Sequence, residues 1–269
     1  MASTLFEPAT LGPLTLRNRI IKAATFEGRT PDGAVTPELV EFHRRIAAGA
    51  AAMTTVAYLA VAPEGRTDAG AMWLHPEVVD GLRTLTDAVH DQGALAAAQI
   101  GHAGPVANAA SNGVPAYAPG RLFNPLGMRR TRAATDADIE RITSEFASGA
   151  RLCVQAGFDS IEVHLGHNYL LSAFLSPAFN RREDRWGGAL EHRARFARQV
   201  MRAVRVAAGN RVAVTAKLNM VDGMRGGIWL AEALRTAARP NDPMSWWGQH
   251  EDGRELVTRV LNGEDVRKA

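Results

Sequence analysis

The segment HLGHNYL, residues 164–170, carries His164, His167 and Tyr169 where the apolar run SIEV ends. Two imidazoles three residues apart can ligate a metal or donate hydrogen bonds to a substrate oxygen, and a phenol beside them can hold and deliver a proton. A catalytic zinc site wants a third ligand and usually a carboxylate base. Here Glu162 lies two residues back on the strand and no H-E-x-x-H segment occurs, so metal binding is the weaker of the two readings. Structural roles compete with both: a histidine satisfied within a core, a tyrosine that packs in an apolar loop. Lys217 stands inside another apolar run, RVAVTAKLN, in a chain whose 31 basic residues include just three lysines, Lys22, Lys217 and Lys268. It can snorkel from a sheet end or supply a cation to a site. Gln99, Thr25, Ala24 and Ala57 also fall at the ends of apolar runs, where a buried amide, an ordinary strand threonine and small packing residues are the plain alternatives.

Positioning these residues requires strands. Five runs read as strands, NRIIKAAT, AAAMTTVAY, ALAAAQIGH, SIEVHLGH and RVAVTAKLN, and helix-like patterns alternate with them. That alternation predicts βα units around a parallel sheet, whose ligands bind at the carboxyl ends of the strands. Thr36-Pro37-Glu38 opens the first helix with a cap and a proline, and Thr135-Asp136-Ala137-Asp138 offers a capping box for the third. Residues 75–92, 189–208 and 228–238 supply the other helices, with Gly93, Gly157 and Gly209 closing three of the set. Long loops at 102–134 and 168–188 are where a compact α/β domain usually carries its site.

Composition narrows the function. With 46% hydrophobic and 22% charged residues over 269 positions, the chain can bury a large core. A net charge of +3 with interspersed signs argues against nucleic acid as a partner. The start MASTLFEP lacks a secretory pattern and no run reaches the length of a membrane span, so a cytoplasmic location with no membrane partner is expected. Cys153, the single cysteine, permits no internal disulfide and no cysteine-ligated cluster, and is expected to pack.

The loop after the fourth run continues LLSAFLSPAFNRREDRWGG, and with HLGHNYL it resembles the Old Yellow Enzyme family of NAD(P)H:flavin oxidoreductases. Phe174-Leu175-Ser176-Pro177, Asn180-Arg181-Arg182, Asp184 and Gly187-Gly188 fall in that family's order, with Trp186 where tyrosine is more usual. LFEPATLGPLTLRNRIIKAAT and AKLNMVDG are similar to two further family segments, and the resemblance covers about residues 5–235. It implies a TIM (β/α)8-type barrel with FMN at the carboxyl ends of its strands and NAD(P)H, either NADH or NADPH, as electron donor. It implies that Thr25 hydrogen-bonds the flavin, that Ala24 and Ala57 lie close to the ring, that Gln99 meets the pyrimidine edge and that Lys217 supplies a cation near N1 and O2. It also implies an ene-reductase activity. His164 and His167 hydrogen-bond the oxygen of an activated alkene while hydride arrives from the flavin, and Tyr169 protonates the product carbon.

Five βα units consume residues 18–239, against eight in the family barrel. The expectation is therefore a barrel truncated to about five units over residues 1–239, followed by a divergent tail, 240–269, in which ELVTRVLNG reads as a short helix. The phosphate anchor of such barrels belongs to later strands. The competing expectation is a non-catalytic remnant that binds FMN weakly or needs a partner chain, with association through open barrel edges, as a homo-oligomer or otherwise.

Overall fold

The computed structural model describes residues 4–125 and 127–237. A hairpin of β1 (Ala9–Leu11) and β2 (Leu14–Leu16) precedes five parallel strands: β3 (Ile21–Lys22), β4 (Met53–Ala60), β5 (Leu95–Gly101), β6 (Ser160–Leu165) and β7 (Ala213–Leu218). They form one sheet in sequence order from β3 to β7. The main helices are α1 (Pro37–Ala48), α2 (Val79–His90), α3 (Asp136–Gln155), α4 (Leu170–Leu175), α5 (Arg195–Ala208) and α6 (Leu230–Ala237). The expected tail, with its helix-like ELVTRVLNG, lies outside the described residues.

The helix starts follow their local chemistry. Thr36 caps α1 by accepting from Leu39 N, and Thr135 and Asp138 form a reciprocal capping box on α3. The pattern at 189–208 breaks at Ala194 into a short helix, Leu190–Arg193, and α5. On α5, Phe196, Val200 and Val204 recur at i, i+4 and i+8, and this stripe joins Ile139, Ile142 and Phe146 of α3 in the main core outside the sheet. Burying each large apolar side chain contributes about 1.5–3 kcal/mol. Cys153 is fully buried in this core and burial pushes its thiol up, so packing is its role. Among the described residues no helix is long and apolar enough to cross a membrane.

The sheet curls as part of a (β/α)8-type barrel. In a flat sheet β3 and β7 would stand about 19 Å apart, four spacings of roughly 4.8 Å. Instead Lys217 Nζ, on β7, donates to Ala24 O just beyond β3 at 3.0 Å. The hairpin's Leu11 and Leu16 pack with Ala52, Met53, Ala97 and Ala213, which covers the amino-terminal end of the concave side. The carboxyl ends are left for a ligand.

One irregularity positions the site. Val56 pairs with Ala98 and Leu59 with Ile100, so two residues of β4, Ala57 and Tyr58, oppose the single residue Gln99 of β5. This is a β-bulge, which bends the strand and re-aims its side chains.

Candidate active site at the carboxyl ends of the strands

A cavity of about 270 Å³ opens at the strand ends. Ala24, Thr25, Ala57, Gln99, His164, His167 and Tyr169 all line it, seven of the eight residues singled out by sequence. The eighth, Lys217, reaches the same place through its bond to Ala24 O. A larger cavity of about 700 Å³ extends past β7, lined by Met53, Thr55, Ala97 and Glu162 of the sheet and by Arg205 and Thr236 of α5 and α6 among others, and none of the eight residues borders it.

Register explains the convergence. His164 on β6 stands beside Lys217 on β7, and Gln99 on β5 beside Glu162 on β6, whose Oε1 accepts from Gln99 Nε2 at 2.7 Å. After β6 the chain turns sharply: His167 and Asn168 both take left-handed backbone, φ 58° and 56°. Such conformations cost about 1–2 kcal/mol per residue unless the surroundings hold them. Here Asn219 Oδ1 accepts from His167 N at 3.0 Å and Tyr169 N donates to Gly166 O at 3.1 Å. The turn brings the His164 ring 4.8 Å from His167 and 4.7 Å from Tyr169, each edge to face.

His164 is 2% exposed, and its Nε2 lies 3.2 Å from His167 Nδ1. Burial, the neighbouring His167 and the Lys217 charge hold its pKa down at about 3. His167 is shifted down as well, by burial and then Lys217. Both rings are therefore neutral near pH 7, each with one N–H. In either of the two tautomer combinations that form the mutual bond, one N–H serves it and the N–H of the other ring stays outside it. His164 Nδ1 is buried without a hydrogen-bond partner. Burial raises the Tyr169 phenol, which keeps its proton at neutral pH.

Four further residues line this cavity: Phe26, Thr67 and Asp68, which sequence reasoning missed, and Tyr58, which it placed at a strand end without a role. Tyr58 is the informative one. Successive residues of a regular strand face opposite ways, and Ala57 and Tyr58, where the strand is irregular, both border one cavity. The Tyr58 ring meets that of Tyr169 at 5.3 Å, and its hydroxyl donates to Gly65 O. A side chain at Gly101 would come within 3.1 Å of both His164 and Tyr58, so glycine there lets the two rings close over the end of β5. Among the described residues no group of three or more His, Cys, Asp or Glu side chains is arranged to hold a metal.

The chain is 56% identical over 234 residues to the 4,4'-dithiodibutanoate disulfide reductase of Rhodococcus erythropolis, an alignment covering 87% of this chain and 58% of that protein. Its fold matches the old yellow enzyme homologue from Zymomonas mobilis with a TM-score of 0.80 at 26% identity, over 87% of this chain and 69% of that one. Morphinone reductase in complex with tetrahydroNAD matches with a TM-score of 0.82 at 25% identity, over 96% of this chain and 78% of that one. The chain thus spans little more than half the length of its Rhodococcus relative. The sequence profile of one family matches residues 4–252, nearly the whole chain, and the protein belongs to that NADH:flavin oxidoreductase / NADH oxidase family, the family of the Old Yellow Enzyme homologues.

Proposed function

We propose that this chain seats FMN at the carboxyl ends of its strands and reduces an activated alkene with electrons from NAD(P)H. The family's cofactor is FMN and its electron donor a nicotinamide dinucleotide. The residues present suit a flat ring with polar edges: Ala24 and Ala57 have side chains small enough for close approach, Thr25 offers a hydroxyl, Gln99 an amide and Lys217 a cation. FMN, when bound, takes up electrons from the nicotinamide and supplies hydride to the substrate. The N–H of the neutral His164–His167 pair that lies outside their mutual bond donates to the substrate's carbonyl or nitro oxygen, and a ligand oxygen between the rings can recruit both. As negative charge grows on that oxygen the donors stabilise it without reorganising, the usual source of large rate effects. Tyr169, still protonated at neutral pH, delivers its proton to the carbon that becomes basic.

The observation that carries this reading is the convergence of two neutral imidazoles and a protonated phenol on one cavity that the small residues Ala24, Thr25 and Ala57 also line. We also assign residues 1–239 to the flavin-binding unit and 240–269 to a separate tail. The test is flavin content of the purified protein, followed by anaerobic mixing of the NADPH- or NADH-reduced form with 2-cyclohexenone. Reoxidation of bound flavin by the enone supports the reading; a flavin-loaded protein that oxidises NAD(P)H yet leaves the alkene untouched overturns it.

A second reading follows from the relative named for reduction of 4,4'-dithiodibutanoate. With a disulfide as acceptor, two electrons cleave the S–S bond and two protons complete the pair of thiols. His164 and His167 would stabilise a departing thiolate and Tyr169 would supply one of the protons. Competition between enone and disulfide for the same reduced protein separates the two.

A further inference from the structure

We propose that Glu27, a buried carboxylate behind the cavity, is a positioning residue that holds the β4 bulge in place and thereby sets the wall against which the flavin seats. The proposal rests on the FMN reading above. Glu27 follows β3, and its side chain is 3% exposed. Oε1 accepts from Lys22 Nζ at 2.6 Å and Oε2 from the Ala57 backbone N at 3.1 Å. Lys22 Nζ also donates to Thr55 O at 3.0 Å. From α1, the fully buried His43 brings Nε2 to 3.5 Å from Glu27 Oε1, while its Nδ1 lies 2.7 Å from Thr54 Oγ1. One carboxylate therefore ties β3 to the bulge and stands against α1.

The argument turns on the N–H of Ala57. A bulge places two residues against one and breaks the regular ladder, so a backbone group there loses its strand partner. Ala57 is buried, and a buried N–H without an acceptor is strongly disfavoured. Glu27 supplies the acceptor. Remove it, and the strand gains by regularising, which slips its register and turns either Ala57 or Tyr58 to the other face. Both residues border the cavity in the bulged strand. Ala24, on the opposite side of Glu27's own segment, is fixed through its carbonyl by Lys217, so the two small residues at the cavity are each held by an ionisable side chain: one through N–H, one through C=O.

Two variants of the full chain separate reach from charge. Glu27→Asp keeps the ion pair with Lys22 but draws the acceptor back by one methylene from Ala57 N. The double variant Lys22→Met with Glu27→Gln abolishes the ion pair but keeps an oxygen within reach of that N–H. FMN affinity is read by quenching of flavin fluorescence, and the amides of residues 53–60 by hydrogen exchange without flavin. Glu27→Asp is expected to weaken FMN binding by about tenfold or more, equivalent to about 1.4 kcal/mol, and to speed exchange at Ala57. The double variant should stay within about threefold of the parent in affinity, a difference worth less than about 0.7 kcal/mol, with Ala57 still protected. The reverse order, or equal affinities in all three proteins, overturns the positioning role. A parent chain that binds no FMN sinks the functional reading and this role with it, whereas a parent that binds and variants that do not differ sink Glu27 alone.

Discussion

Two clusters of ionisable and aromatic side chains flank the Ala57–Tyr58 bulge, and they are built on opposite rules. Behind it, Lys22, Glu27 and His43 face protein: both oxygens of Glu27 accept hydrogen bonds, Lys22 donates twice, and His43 pairs with Thr54 through Nδ1, while its Nε2, without a hydrogen-bond partner, lies 3.5 Å from Glu27 Oε1. In front, His164, His167 and Tyr169 are packed ring to ring, kept neutral by burial, and His164 Nδ1 has no partner. Buried polar groups in native proteins are normally satisfied, so an unsatisfied one beside a cavity marks where a ligand is expected to complete the set. The rear cluster maintains geometry; the front cluster keeps donors in reserve. Substitutions in front should change chemistry with little change in stability, and substitutions behind should do the reverse or act through position.

The sharpest way to break this contrast is Tyr169→Phe, which removes one hydroxyl from the front and keeps the ring. Alkene reduction should slow by about 10²–10⁴, the usual range for a positioned proton donor. Flavin reduction by NAD(P)H needs no proton from this group and should stay within about twofold of the parent, a small change on the same scale. Stopped-flow traces of the two half-reactions provide the check. Equal losses in both halves would return Tyr169 to a packing role.

His164→Ala and His167→Ala come next, each expected to cost about 10²–10³ in the alkene step. Each should also weaken binding of a phenol, which mimics the polarised substrate oxygen, and remove the long-wavelength charge-transfer band that a phenolate forms over oxidised flavin. Because the rings share a hydrogen bond, the double variant should lose much less than the product of the single losses. Multiplying losses with the band intact would mean that the histidines simply pack the end of β6.

The front cluster was legible in sequence because it lies within one short segment and because strand ends can be found from apolar runs. All five expected strands form, and seven of the eight expected site residues line one cavity. Capping chemistry at Thr36 and Thr135 is local and was equally readable. What was hidden depended on partners distant in the chain. Glu27 carries no local signal of its role, and only the fold brings it to Ala57, thirty residues away. Tyr58 read as the last residue of a strand, since a bulge is a relation between two strands and leaves no mark in either alone. The β1–β2 hairpin was missed for another reason: three-residue strands are too short to show alternation. The break at Ala194 likewise interrupts a pattern that looks continuous.

Acid sharpens the comparison without mutation. The pKa of His164 is held at about 3 and that of the fully buried His102 at about 4, chiefly by burial, and His167 is shifted the same way. The unfolded chain binds protons at these histidines below about pH 6.5, while the folded chain does not until it reaches the lower values. Stability is therefore expected to fall as pH drops from about 6.5 toward 4, by up to roughly 1.4 kcal/mol per pH unit for each such histidine. Urea unfolding across this range measures the slope. His164→Ala should flatten it by close to one histidine's share.

The smallest effect expected has the opposite sign and comes from the other end of the sheet. His90, the last residue of α2, places Nε2 2.8 Å from Asp159 Oδ2, and this contact raises its pKa above the ordinary histidine value. A group whose folded pKa is raised contributes stability below its unfolded pKa, near 6.5, and loses that contribution as pH rises through the folded value. The side chain is 36% exposed, so solvent screens the pair and its worth is about 0.2–1 kcal/mol. Asp159 Oδ2 also accepts from Ala96 N at 2.8 Å, so removing the imidazole leaves the carboxylate anchored and limits the damage to the pair itself. His90→Gln should cost a few tenths of a kcal/mol near pH 5.5 and less near pH 8.5, because the parent imidazole loses its charge as pH rises through its raised pKa. The difference between unfolding free energies at the two pH values is the measurement. A larger cost at the alkaline end would mean that His90 acts through packing on α2. The expected order would show that histidines at the two ends of one sheet respond to acid in opposite directions, according to whether a carboxylate partner or desolvation by burial dominates their surroundings.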